Sequence, residues 1–186
     1  MEATRHLHSM GNVMASAGIP AAELPHLDRD RFVELFGGVF EHSPWVAEQA
    51  FDGGPFDSLE ALHAAMVKAM CRAPRAQQFA LIRAHPDLAG RAAVAGNLTA
   101  ASSAEQAGAG LDQCTPAEFE RFQELNDRYQ DRFSFPFILA VKGRTREEIL
   151  TLFEQRLHNS IEAEFAEALR QIARIARLRL DDLIRP

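Results

Sequence analysis

Apolar residues recur at three- and four-residue spacing along almost the whole chain, a period that admits amphipathic helices and little else. Phe32, Leu35, Phe36, Val39 and Phe40 make one such face, with Asp28 or Asp30 placed to cap its start. Gly37 and Gly38 interrupt that face and allow close backbone approach. Ser43-Pro44 reads as an N-cap and first-turn proline of a short helix that ends at Gly53-Gly54. Ser58 opens a helix with Leu59, Leu62, Met66, Ala69 and Met70 inward, closed by Pro74. The helix carrying Ala76, Phe79, Ala80 and Ile82 must stop near His85, because Pro86 drives the residue before it out of the α region.

Two capping boxes follow, Thr115 with Glu118 and Thr145 with Glu148. The first starts a helix bearing Phe119, Phe122, Leu125, Tyr129 and Phe133. The second leads through Ile149, Leu152, Phe153 and Leu157 towards Ile161, Phe165, Leu169 and Ile172, with Asn159-Ser160 placed to divide the run. Only Phe135 to Val141 reads as extended. The expected fold is all-α: a single compact domain of roughly eight helices over residues 21–186 with one short extended segment. A flexible extension is expected over residues 1–20.

At 186 residues and 47% hydrophobic content the chain can bury a core without staples. Cys71 and Cys114 form no CxxC, and a reduced cytoplasm fits them best. A formal charge of −6 gives nucleic-acid binding no electrostatic support. No apolar run reaches membrane-spanning length, and the N-terminal stretch with Arg5, His6 and His8 lacks the apolar core of a signal peptide. Gly108-Ala109-Gly110 has neither the third glycine nor the preceding strand of a dinucleotide fingerprint. Histidines show metal-ligand spacing nowhere except His6-x-His8. No metal is expected.

Three segments break the helical pattern: Arg83 to Gly90, Ser102 to Gln106, and Phe133 to Ile138. Loops between packed elements are where catalysis concentrates. His85 stands at a helix C-terminus, whose partial negative charge favours imidazolium. It is either a proton donor or a cap for the last carbonyls. Ser102-x-x-Glu105 matches a capping box, which needs no function, yet such a helix start also offers N–H groups to an anion. Phe137 to Val141 is either a core strand or an unpaired edge presenting backbone groups to a ring. Arg156 is either a solvated charge or a carboxylate-binding fork. A helical interaction module with His85 and Glu105 as mere caps is the non-enzyme alternative. It leaves the co-occurrence of the three loops without a reason.

In register, these segments resemble the 2-oxo-4-hydroxy-4-carboxy-5-ureidoimidazoline (OHCU) decarboxylase family. The resemblance runs from about Phe32 to Leu180. It takes in Phe36-Gly37-Gly38-Val39-Phe40-Glu41-His42-Ser43-Pro44-Trp45, Ala84-His85-Pro86-Asp87-Leu88 and Ser102-x-x-Glu105-Gln106. It continues through Leu125-Asn126-x-x-Tyr129, Phe133-x-Phe135-Pro136-Phe137-Ile138 and Arg156-Leu157-x-Asn159, followed by Glu164. Ser134, where glycine is frequent, and His158 depart mildly from the pattern. The resemblance implies a helical homodimer without metal or organic cofactor that converts OHCU, a small anion of urate breakdown, to (S)-allantoin. It implies His85 as catalytic acid/base and Glu105 as its catalytic partner. Pro86, Ser102, Ser103, Ala104, Glu105 and Gln106 would line the substrate. So would Phe137, Ile138, Leu139, Ala140 and Val141, and Arg156 would bind it. A family member with a drifted substrate is the closer alternative.

Overall fold

A computed structural model describes residues 18–90, 96 and 98–186. Eight α-helices carry them. The first four are α1 (Arg29–Phe36), α2 (Trp45–Phe51), α3 (Leu59–Arg72) and α4 (Arg75–Ala84). The others are α5 (Ala100–Gly108), α6 (Pro116–Phe133), α7 (Arg146–Arg156) and α8 (Ile161–Leu183). The all-α expectation holds, with one addition: Ile19–Pro20 (β1) pairs in parallel with Ile184–Arg185 (β2). Ile19 is buried and belongs to the folded body, so the body begins before the expected boundary at Pro20. The expectation for residues 1–17 lies outside the described residues.

Local signals set most helix starts. Asp28 accepts the Arg31 N–H at 2.8 Å and Ser58 that of Ala61 at 3.2 Å. Both capping boxes form reciprocally, Thr115 with Glu118 and Thr145 with Glu148. Ser160 caps α8 through the Ala163 N–H, so Asn159-Ser160 does separate α7 from α8. Each cap contributes about 1 kcal/mol. Ser43 is an exception. The turn before it holds His42 at φ 46° and closes with the Ser43 N–H on the Phe40 carbonyl. Pro44 then precedes α2, with no side-chain cap.

The longest helix, α8, packs against α3 and α4 and buries Phe165, Ala168, Ile172, Ala176 and Leu180. Tyr129, wholly buried on α6, meets Phe133, Phe135, Phe137 and Phe153, and Phe137 stacks on Phe153 at 3.9 Å between centroids. Ser134 ends α6 in the left-handed region, φ 61°. That backbone suits glycine, which is why glycine is frequent there in the pattern the sequence resembles. Beyond it, Phe135 to Val141 is buried throughout and joins no sheet. Side chains satisfy its backbone instead: Gln171 accepts the Ala140 N–H at 3.1 Å, and Arg144 Nε donates to the Ala140 carbonyl at 3.3 Å. No helix among the described residues is long and apolar enough to cross a membrane.

Candidate active site

His85 ends α4 with extended backbone (φ −75°, ψ 140°), as Pro86 requires. Its Nδ1 lies 3.0 Å from the Leu81 carbonyl oxygen. A carbonyl only accepts, so Nδ1 carries the proton and Nε2 the lone pair. Nε2 has no hydrogen-bond partner among the described residues. Burial pushes the imidazolium down to about 4. The Leu81 carbonyl and Glu41 partly oppose this, while Arg179 and His42 add to it. The expectation of a protonated ring at the helix end is therefore corrected. A helix terminus contributes about 0.3–1 kcal/mol, whereas this depression corresponds to roughly 3 kcal/mol against the charged form. The resting ring is neutral, with the Nε2 lone pair available.

The capping box expected at Ser102 and Glu105 is also corrected. Thr99 caps α5, accepting the Ser102 N–H at 3.2 Å. Ser102 is thus one turn inside the helix, and its hydroxyl donates to Glu41 at 3.1 Å. Glu105 turns to Arg179, which donates Nε to one carboxylate oxygen at 2.6 Å and Nη2 to the other at 3.0 Å. Arg179 Nη1 reaches the second carboxylate, Glu41, at 3.0 Å and the Val39 carbonyl at 3.2 Å. Glu41 is 2% exposed and also accepts from the Thr99 hydroxyl at 2.7 Å. Burial raises its carboxyl. The Thr99 bond and the Arg179 charge more than offset that and hold it below the usual carboxylate range.

A cavity of about 30 Å³ beside His85 is lined by Pro86, Ser102, Glu105, Gln106 and, from the extended segment, Phe137, Ile138, Leu139 and Val141. A larger one, about 480 Å³, shares Glu105, Leu139, Val141 and Ile175 with it and adds Ala104, Ala140 and Arg179. Glu105 and its ion pair thus stand where the two spaces meet. Most residues expected at the site converge here. Ser103 does not: it points to a separate cleft with Leu111 and Phe119. Gln106 lines the small cavity, yet its amide is committed to the backbone at both ends. Oε1 accepts the Ala89 N–H at 2.9 Å, and Nε2 donates to the Asp87 carbonyl at 3.2 Å.

Arg156 lines neither cavity, contrary to expectation. Its Nε and Nη2 both engage Glu164, Nη1 donates to the Ile138 carbonyl at 2.7 Å, and the guanidinium lies over Phe137. Glu164 also takes the Tyr129 hydroxyl and Asn159 Nδ2. The fork is consumed inside the core, where it props the extended segment. The arginine at the site is Arg179, and sequence reasoning missed it. Its signal was periodicity: Arg179 lies seven residues after Ile172 and four after Ile175, on the inward stripe of α8. Glu41, inside a quoted motif, was likewise not singled out. Among the described residues no three His, Cys, Asp or Glu side chains come together as metal ligands.

A histidine at a helix end and an arginine face two adjoining cavities that share one carboxylate, with a second carboxylate buried behind the arginine, an arrangement suited to a small molecule and to acid–base chemistry. The family model for OHCU decarboxylase matches residues 25–181. An OHCU decarboxylase of Haloferax volcanii is 45% identical over 158 residues, 85% of this chain and 92% of that protein. The mouse protein of that name is 37% identical over 158 residues, 85% and 89% respectively. The chain belongs to the OHCU decarboxylase family. A crystal structure of (S)-allantoin synthase superposes with a TM-score of 0.72 at 30% identity, over 89% of this chain. This chain spans 54% of that one. A crystal structure of OHCU decarboxylase in the presence of (S)-allantoin matches in fold, with a TM-score of 0.62 at 21% identity and coverage of 75% and 89%.

Proposed function

We propose that the chain decarboxylates OHCU to (S)-allantoin in urate degradation, with His85 as the acid/base, Glu105 as the group that holds the substrate and Arg179 as the residue that positions Glu105. The observation that carries this reading is the neutral His85, its Nδ1 fixed by Leu81, on a cavity that Glu105 shares with the space in front of Arg179. A cavity of about 30 Å³ takes little more than a water-sized group. The substrate ring therefore occupies the larger space along Leu139 to Val141 and presents its reacting carbon to His85.

The substrate carries a hydroxyl and a carboxylate on one ring carbon, next to a ring imine. As the carbon–carboxylate bond breaks, its electron pair forms a carbon–carbon double bond, and the imine electrons move to nitrogen, which takes a proton. The substrate is its own electron sink. The resulting enol loses its hydroxyl proton as the carbonyl forms, and the adjacent carbon is protonated on one face. One carboxylate anion and one proton thus give allantoin and carbon dioxide. A neutral His85 suits this order: Nε2 accepts the hydroxyl proton, and the imidazolium so formed supplies a proton to carbon. Glu105 accepts from ureido N–H groups, and Arg179, whose N–H groups are taken by Glu105, Glu41, Ser102 and the Val39 carbonyl, fixes that carboxylate in place.

We also place the enzyme in the cytoplasm as a homodimer. The family resemblance supports the dimer, and the free thiols of Cys71 and Cys114 support a reducing compartment. The test is chiral analysis of allantoin formed from freshly made OHCU. Excess (S)-allantoin above the uncatalysed rate is expected, and racemic product at that rate overturns the assignment.

A further inference from the structure

The loop after His85-Pro86 is held almost entirely by neutral amides. Asn126 Nδ2 donates to the Leu88 carbonyl at 3.0 Å, and Gln123 Nε2 to that of Ala89 at 2.8 Å. Gln130 Nε2 donates to both Asp87 carboxylate oxygens, at 3.0 and 3.1 Å. These three residues stand at i, i+3 and i+7 on α6 and so share one face. From α5, Gln106 closes the opposite side by binding the Ala89 N–H and the Asp87 carbonyl. Ala89 sits at φ 48°, a conformation a non-glycine residue keeps only when its surroundings enforce it.

We infer that this amide face, with Asn126 at its centre, positions His85 and Pro86 for the reaction. Three observations separate this from ordinary packing. The loop it grips begins two residues after His85, and Leu88 lines the same small cavity as His85 and Pro86. The gripping groups do not titrate, so they hold the loop alike whether His85 is neutral or carries a proton. Asn126 Oδ1 is buried and has no hydrogen-bond partner among the described residues, so this side chain serves the loop through its donor alone. A small displacement of the base costs rate and facial control while leaving the substrate's other contacts in place.

The inference rests on the proposed decarboxylation, and the test keeps the two apart. Asn126→Leu keeps the volume and loses the donor, and Gln123→Met does the same for the Ala89 carbonyl. Wild type and variants are compared with enzyme in excess over OHCU, reading single-turnover rate, enantiomeric excess of allantoin, allantoin Kd and thermal midpoint. The expected result is a rate about 10- to 100-fold lower, a reduced (S) excess after correction for spontaneous decay, and a Kd within about twofold of wild type. Folded variants with wild-type rate and excess overturn the inference, as does a lowered midpoint with both unchanged. If Asn126→Leu does not fold, Gln123→Met decides. A wild type that does not accelerate OHCU decay instead removes the functional assignment itself.

Discussion

Arg179 grips Glu105 in a fork, Nε to one oxygen at 2.6 Å and Nη2 to the other at 3.0 Å, while Nη1 holds the buried Glu41. One guanidinium thus ties a partly exposed carboxylate at the cavity to a carboxylate in the core. The arrangement separates Arg179 from Arg156, the arginine expected from the sequence to bind substrate. Arg179→Lys keeps the charge but cannot span both carboxylates, and kcat/KM should fall about 100-fold as Glu105 loses its fixed position. Arg156→Lys removes bonds to Glu164 and Ile138 inside the core, and should cost roughly 1–3 kcal/mol of stability as its leading effect. Steady-state kinetics and denaturant unfolding of both variants check this. A harmless Arg179→Lys, or a kinetic loss as large in Arg156→Lys, contradicts it.

Glu41→Gln tests the buried end of that relay. The amide keeps the shape but cannot accept from Thr99, Ser102 and Arg179 as the carboxylate does. Arg179 remains neutralised by Glu105, so the stability loss should be moderate, roughly 1–3 kcal/mol. Activity should drop more than stability predicts, because Arg179 and Ser102 lose a common anchor. A variant with unchanged kcat and KM would make Glu41 a packing residue only.

The helices were legible because their signals are local. Thr115, Thr145 and Ser160 cap where their spacing says they should, and Pro86 ends α4 from one residue away. His85 and Glu105 were legible through the motifs around them. The misassigned groups depend on partners far along the chain. Ser102 lies one turn inside a helix because Thr99 is the better-placed cap, and its hydroxyl goes to Glu41, 61 positions away. Arg156 and Arg179 both lie on inward helix faces, and only packing shows that Glu164 and Ile138 consume the first while the second meets the cavity. The charge state of His85 was misread because a terminus effect is visible in sequence and depth of burial is not.

The corrected cap has its own test. Thr99→Ala should cost about 1 kcal/mol through the lost N-cap, with a further loss from its bond to Glu41. Ser102→Ala leaves the cap intact and should alter kinetics before stability, since its hydroxyl sits between Glu41 and Arg179. Thermal unfolding of the two variants side by side distinguishes them. A larger stability loss in Ser102→Ala than in Thr99→Ala would restore the original capping box.

The neutral His85 makes a joint prediction for activity and stability. The base form exists above about pH 4, so kcat/KM should be level from about pH 5.5 to 8 and decline only towards acid. His85→Asn should fold and lose about 100- to 10,000-fold in rate, with spontaneous OHCU decay subtracted at each pH. For stability the sign is fixed by which state binds more protons. Between about 4 and the ordinary 6.5 the unfolded histidine is protonated and the folded one is not. Stability therefore rises with pH across this window, is complete above it, and falls by roughly 3 kcal/mol as pH drops through it. Glu41, with its carboxyl depressed, loses its contribution only below the ordinary 4.5. Burial raises the Asp87 carboxyl above its ordinary 3.8, which opposes the slope at the acid end. The stretch from about pH 5 to 6.5 thus reads His85 most directly, and His85→Asn should flatten it. An activity inflection near neutrality that vanishes in His85→Asn would instead show that the working resting form is the imidazolium.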